Sequence, residues 1–439
     1  MEVVRMKNFN KLLTICYLLI ILVMSIIRYN VSIIAQPPYQ LTYNIFPVEP
    51  YSYNATYNVT GVIKSLSLPS DSKPMGIVYD STTGKVWVAL YGNCSIASID
   101  ILTKDVTIFP LPYQIDENFS GPGVYTLTIT PDKCIWFTIN GYWKPLHPSN
   151  QIPTLGKLDV SNNLTFIYYT PIEFAYHGSD IKFYKDYIWL LGNNCLMKIN
   201  YTTSEIIDVY FKEFGSGGFM EFDNNYLWIS APDKGFVTKF NIELLNNFED
   251  INFTFDRPLG IEVDENYVYI AENKLYDSSG PLVQMGTIAM INKTSLEVTR
   301  LNTAPITSDG PYHVLKDIYG YLWFTDNSGH IGIVSGIVYG NEIPNCYVPP
   351  YCYFMTEVPG NTIWFSGVGS AYVGMKETGT LGRTDINKDG KVDLKDYYPV
   401  CKWYGKCVPP APENCDINSD GKIDLKDVYA VAKNYGKTL

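Results

Sequence analysis

Two stretches near the C-terminus hold the residues with the clearest chemistry. They almost coincide: DINKDGKVDLKD at 385–396 and DINSDGKIDLKD at 416–427. Each sets side-chain oxygens at loop positions 1, 3, 5, 9 and 12 around a glycine at position 6. The first set is Asp385, Asn387, Asp389, Asp393 and Asp396 with Gly390; the second is Asp416, Asn418, Asp420, Asp424 and Asp427 with Gly421. Calcium takes roughly six to eight hard oxygen ligands, and a chain wrapping around it needs a glycine at its sharpest turn. Position 7, Lys391 or Lys422, supplies a main-chain carbonyl, so its side-chain type is free. The aspartates of each loop repel one another unless a cation lies among them. Two calcium ions are therefore expected.

The elements that hold these loops are short. Position 12 is Asp where the usual EF-hand has the longer Glu, and Ala411–Cys415 (APENC) cannot form an entering helix. The exiting segments Tyr397–Tyr404 and Val428–Tyr435 have a helical pattern despite Pro399. The expected core is Val392, Leu394, Val400, Ile417, Ile423, Leu425, Val428, Val431 and Tyr435, small enough to make folding depend on metal.

This duplicated loop-plus-helix unit, Thr384–Lys437, resembles a type I dockerin. The resemblance implies docking to a cohesin-like or other cell-surface protein. Residues at loop positions 10 and 11 would choose the partner: Leu394 and Lys395 in one copy, Leu425 and Lys426 in the other. Matching pairs imply pseudo-two-fold symmetry and two equivalent docking orientations. Family members carry Ser/Thr-like pairs there, which points away from a standard cohesin.

Upstream, one pattern recurs seven times: an alternating apolar strand, a polar turn, then a strand centred on an aromatic. The aromatics are Trp87, Trp136, Trp189, Trp228, Tyr269, Trp323 and Trp364. A third strand follows most copies, as in FVTKFNI or GHIGIVSG, and a fourth follows several, as in DVTIFPLP. A four-stranded unit of about 40–50 residues is the size of a propeller blade, which buries its two faces only by stacking on its neighbours in a ring. The aromatic row then belongs to the core between blades. The last copy lacks a fourth strand, and the early segment Ile63–Pro69 can supply it and close the ring. The expected fold is all-β, a seven-bladed β-propeller over 57–376, with a small α-helical dockerin at the C-terminus.

GYLWFTDNSGHIGIV, CIWFT and the blade-opening runs Pro74–Ile77 (PMGI) and Pro258–Ile261 (PLGI) resemble the virginiamycin B lyase-like propellers. That family opens a cyclic depsipeptide ester by elimination, using histidines and a glutamate at Pro-His-Gly blade starts together with magnesium. Here the histidine position of one such start is Leu259. In Gly310–His313 (GPYH) the residue after proline is Tyr312, and His313 comes one place late. His177 keeps a His-Gly pair without the proline. His177 and His313 are the candidate catalytic residues, as general bases or metal ligands at the channel mouth. His147 reads as a loop residue and His330 as structural. No phosphate loop, dinucleotide fingerprint or Gly-x-Ser-x-Gly is present.

At the N-terminus, basic residues precede an apolar run from Leu12 to Ile27. Residues 1–35 read as a signal peptide or an uncleaved membrane anchor, and either places the rest at the cell surface or outside the cell. Residues 36–56 and 377–383 read as linkers and 384–439 as the dockerin-like domain. Nine Asn-x-Ser/Thr sequons agree with export, and eight of the nine Cys lie beyond the targeting segment, which suggests disulfides. A net charge of −11 argues against nucleic acid and against adsorption to an anionic membrane. The expected function is an exported propeller that binds a glycan, peptide or protein and docks through its calcium module. The alternative is a virginiamycin B lyase-like or polysaccharide-degrading enzyme with a docking module.

Overall fold

A computed structural model describes residues 39–439 except 61–62, 112–118, 144–150, 172–177, 216, 245–247, 274–286, 303–309, 318–319, 327–330, 335–351, 360–361, 378–383, 388, 390, 409, 418–421 and 437–439. The targeting segment, His147, His177, His330, Asn418 and Asp420 lie outside the described residues. The chain divides into two compact units, residues 1–40 and 41–439, and the second holds the ring and the C-terminal helices.

Seven antiparallel sheets make a seven-bladed β-propeller. Numbered in chain order, blade 1 starts with the hairpin Pro74–Asp80 and Lys85–Leu90, and blade 7 with Cys352–Val358 and Thr362–Gly367. The turns fit their residues. In blade 3, Lys185 (φ 47°) and Asp186 (φ 66°) form the two-residue turn between Tyr184 and Tyr187, with both central φ values positive as the twist of a tight hairpin requires. In blade 1, Asp80 accepts from the Thr82 amide and from both threonine hydroxyls of its turn.

The ring closes as the sequence suggests. Ile63–Ser67 pairs antiparallel with Tyr372–Glu377 and becomes the fourth strand of blade 7. The preceding segment, read in part as a linker, forms further strands. Thr42–Pro47 pairs with the outer strand of blade 2, Tyr51–Tyr53 with that of blade 1, and Tyr57–Thr60 with the closing strand of blade 7. An outer strand offers unpaired amides, and this alternating segment satisfies them for three neighbouring blades in turn. All seven recurrent aromatics are buried between blades.

The C-terminal module has two α-helices, α1 (Leu394–Trp403) and α2 (Leu425–Asn434). Both begin three residues before their expected starts. Asp393 and Asp424 are N-caps, and Asp396 and Asp427 reach back to complete capping boxes, so the last loop residues already serve as the first helical turn. The halves exchange hydrogen bonds: Gly405 after α1 donates to the Ile423 carbonyl, and Gly436 after α2 donates to that of Val392. The core comprises Ile386, Val392, Val400, Ala411, Cys415, Ile417, Ile423 and Val431. Leu394, Leu425 and Tyr435, expected inside, are exposed: the two leucines are the first helical residues after the capping aspartates, and Tyr435 is the C-cap of α2, past its last turn.

The expected disulfides are not formed among the described cysteines: no bond joins any of Cys94, Cys134, Cys195, Cys401, Cys407 and Cys415. Cys94, Cys134 and Cys195 each sit inside a different blade. Burial pushes the Cys94 and Cys134 thiols up to about 12, so they act as small apolar core residues. No described helix is long and apolar enough to cross a membrane.

Candidate functional site

The channel is built by the first strand of each blade. The residues facing the recurrent aromatic across the first hairpin are Val78, Thr128, Lys182, Glu221, Glu262, Leu315 and Thr356. Three residues earlier come Met75, Tyr125, Leu259, Tyr312 and Tyr353, with Phe219, His313 and Phe354 between the two levels. In these five first strands a register shift, as between Val124 and Leu127 or Cys352 and Met355, lies between the two levels and breaks the strict alternation of a strand.

The level at the strand starts is aromatic. The Tyr125 hydroxyl of blade 2 meets the Tyr312 hydroxyl of blade 6 across the ring at 2.7 Å. Tyr312 packs on Tyr353 with centroids 4.3 Å apart, and Phe219 and Phe354 make edge contacts beneath. Burial pushes the Tyr125 phenol up to about 12, so the tyrosine pair is a neutral seal at ordinary pH. The proline-x-glycine runs have a packing reason. A Cβ on Gly76 would lie 2.8 Å from Thr126 Cα, and one on Gly260 would lie 2.7 Å from His313 Cα. Glycine lets first strands of adjacent blades meet at the narrow inner radius.

His313 lies in this aromatic layer, with its ring 5.6 Å from that of Phe354. Its Nδ1 is buried with no hydrogen-bond partner among the described residues. Burial, with Lys182 as a smaller second cause, pushes its pKa down to about 3. An imidazole held neutral in this way is a weak base.

The level behind is charged on one side. Lys182 of blade 3 and Glu221 of blade 4 pair at 2.6 Å. Burial alone would lower the lysine pKa, but Glu221 and Asp180 outweigh it and raise it. Burial, followed by the Glu221 charge, pushes Glu262 of blade 5 up to about 7. Asp180, buried and accepting from the Ile181 and Met220 amides, is pushed by burial up to about 6. Sequence reading missed this trio, because its members lie in three blades and share only one register position opposite Trp189, Trp228 and Tyr269.

In the C-terminal module the side chains of the first loop bond back to its own main chain. Asp385 Oδ1 accepts from the Asp389 amide at 3.2 Å. Asp396 is buried and accepts from the Asn387 and Asp393 amides at 3.0 and 2.8 Å. The donors at positions 1, 3, 5, 9 and 12 are all oxygens, which suits a hard cation. Their convergence is incomplete: among the described residues no group of three or more His, Cys, Asp or Glu is gathered as around an ion. Asp389 instead holds the Lys395 ammonium at 2.8 Å, a cation standing at the loop's rim. The donor set fits calcium, with the Lys391 carbonyl available at position 7. In the second loop the capping Asp424 and Asp427 repeat their counterparts.

The outward faces of the two helices match. Leu394 and Leu425 are both 67% exposed, and Tyr398 and Tyr429 are 67% and 64% exposed. The structure thus sets both expected partner-binding leucines at the surface and adds a tyrosine one turn on from each.

No protein-family model matches this chain, and no curated protein matches it. Solved structures do. Virginiamycin B lyase from Staphylococcus aureus aligns with 21% identity over 71% of this chain and 98% of that one, with a TM-score of 0.56. A streptogramin B lyase structure gives 19% identity, 71% and 96% coverage and a TM-score of 0.54. Kuenenia stuttgartiensis hydrazine synthase gives 13%, 71%, 97% and 0.54. Proteins with such different names share the ring, so the likeness defines the class as a lyase-like seven-bladed propeller by fold and leaves activity open.

Proposed function

We propose that this chain is an exported propeller that serves as a binding scaffold, carried to its place by a calcium-dependent docking module. The observation that carries the reading is the matched pair of exposed apolar patches, Leu394 with Tyr398 and Leu425 with Tyr429, on two helices of equal length that start from the same capping box. Paired aliphatic and aromatic side chains at the start of a capped helix are suited to burial against a partner. Lys395 and Lys426 flank them and would add charge contacts at the rim. The partner is a cohesin-like or other cell-surface protein.

Calcium would be held by Asp385, Asn387, Asp389, Asp393 and Asp396 with the Lys391 carbonyl, and by the equivalent residues from Asp416 to Asp427 with that of Lys422. When bound it supplies positive charge that offsets the clustered carboxylates and fixes the first turn of each helix. Asp393 and Asp424 hold those turns by accepting from Lys395 and Lys426 amides, each at 2.7 Å.

The propeller would present a glycan, peptide or protein ligand surface. The aromatic seal supports binding over catalysis, because Leu259 and Tyr312 occupy the positions where the resembled enzymes place histidine, and His313 is a poor base. The lyase-like or glycan-active alternative has one observation in its favour, the Glu262 carboxyl held near neutral pH beside Lys182 and Glu221.

Calorimetric titration of the full chain with calcium tests the reading. Two sites are expected, and Asp385→Ala combined with Asp416→Ala should abolish both. Capture of a cell-envelope protein should fail in chelator and in the Leu394→Asp, Leu425→Asp double variant. A chain that takes up no calcium would sink the docking reading. Turnover of a defined substrate that Glu262→Gln removes would replace it with the enzymatic one.

A further inference from the structure

The propeller and the C-terminal module have separate apolar cores, and among the described residues a polar contact joins them. Tyr321 follows the first hairpin turn of blade 6, and its ring is buried with Trp323, Met355 and Ile363 between blades 6 and 7. Its hydroxyl emerges beside the module. It lies 3.4 Å from the main-chain oxygen of Asp385 and 3.4 Å from Oδ2 of the same residue. Asp385 is position 1 of the first loop. Its other carboxylate oxygen accepts from the Asp389 amide, so both oxygens are oriented, one by the loop and one by the propeller. Thr384 and Asp385 are almost completely buried, at 0% and 2% exposure, although they begin the module.

We propose that Tyr321 seats the module on blades 6 and 7 and acts as a positioning residue for the first calcium loop, an inference that rests on the calcium reading above. A phenol donating to a metal-binding carboxylate fixes which oxygen faces the ion, and losing such an outer-sphere partner typically weakens a site about 10–100-fold. The first loop thus has a propeller residue in its surroundings. The seat leaves Leu394 and Leu425 equally exposed, so the propeller is held while either helix face engages a partner.

The experiment uses the full chain and the Tyr321→Phe variant, which keeps the buried ring and removes only the hydroxyl. Trypsin cleavage after Arg383, whose following residues are Thr384 and Asp385, is timed in calcium, and calcium alone is titrated by calorimetry. Cleavage is expected to be at least several-fold faster in the variant. One of the two calcium sites is expected to weaken by about tenfold, and that site should be the one removed by Asp385→Ala rather than by Asp416→Ala. Unchanged cleavage overturns the seat, whatever the titration shows. Faster cleavage with both calcium affinities unchanged overturns the positioning role. A wild-type chain without calcium uptake fails at the titration baseline, which marks failure of the calcium reading apart from failure of the seat.

Discussion

At the scale of single residues, burial decides more than residue type. His313 looks like a base in the sequence, but in the ring it lies among phenylalanine and tyrosine and its proton affinity collapses. Its imidazole should remain neutral at pH 5, with nitrogen chemical shifts showing no titration between pH 8 and 5; a midpoint near 6.5 would contradict the packing described. Glu262 behaves in the opposite sense. Its carboxyl pKa is raised to about 7 in the native state, against about 4.3 for an unperturbed chain. Between those values the native state binds the proton and the unfolded state does not, so this residue costs stability above pH 7 and the cost fades as pH falls toward 4. Glu262→Gln should therefore stabilise the protein by up to about 3 kcal/mol at pH 8 and by almost nothing at pH 4, read from urea melts at the two values. Two sequon asparagines also acquire another explanation. Asn200 and Asn292 cap turns, accepting from the amides two and three residues on, so an Asn-x-Thr spelling arises there from turn chemistry.

At the scale of the strand pair, a glycine recurs opposite a phenylalanine. Phe137 faces Gly156, Phe324 faces Gly332 and Phe365 faces Gly374 across the second and third strands of their blades. Each ring lies over its glycine so closely that a Cβ would come within 2.1 to 2.3 Å of a ring carbon. Gly374→Ala should destabilise the ring by about 1–3 kcal/mol through overpacking. Adding Phe365→Leu should recover part of the loss, as measured by thermal unfolding. Blade 3 has Leu190 opposite Met197 at the same level, so the device belongs to some blades and not to the repeat as such.

At the scale of the whole molecule, stability depends on closing the circle. Leu66 lies on the closing strand, is 1% exposed and belongs to the cluster that also contains Val373 and Met375 of blade 7 and Val86 of blade 1. Leu66→Ala should cost about 2–5 kcal/mol, typical of a buried leucine, and lower the unfolding midpoint of the entire propeller in one transition. Leu102, 85% exposed in a blade 1 turn, is the control, and its replacement by alanine should change stability by about 0.5 kcal/mol or less. A separate early transition in the Leu66 variant would mean that the last blade unfolds alone and that closure does not bind the ring together.

The amino-acid sequence by itself determined the repeat, the blade number, the closing strand and the duplicated acidic loops. Each is a local pattern, period-two alternation, a turn residue or a fixed spacing, and local patterns survive being read in one dimension. The charged level of Lys182, Glu221 and Glu262 was not legible, nor were the Tyr125–Tyr312 seal and the reach of Tyr321 to Asp385. These depend on residues about 40 to nearly 190 positions apart coming into register around a ring, which only closure enforces. Leu394 and Leu425 show the same divide within one short module. Their apolar type suits a core equally well, and only the fold set them at the surface, as the first helical residues after the capping aspartates.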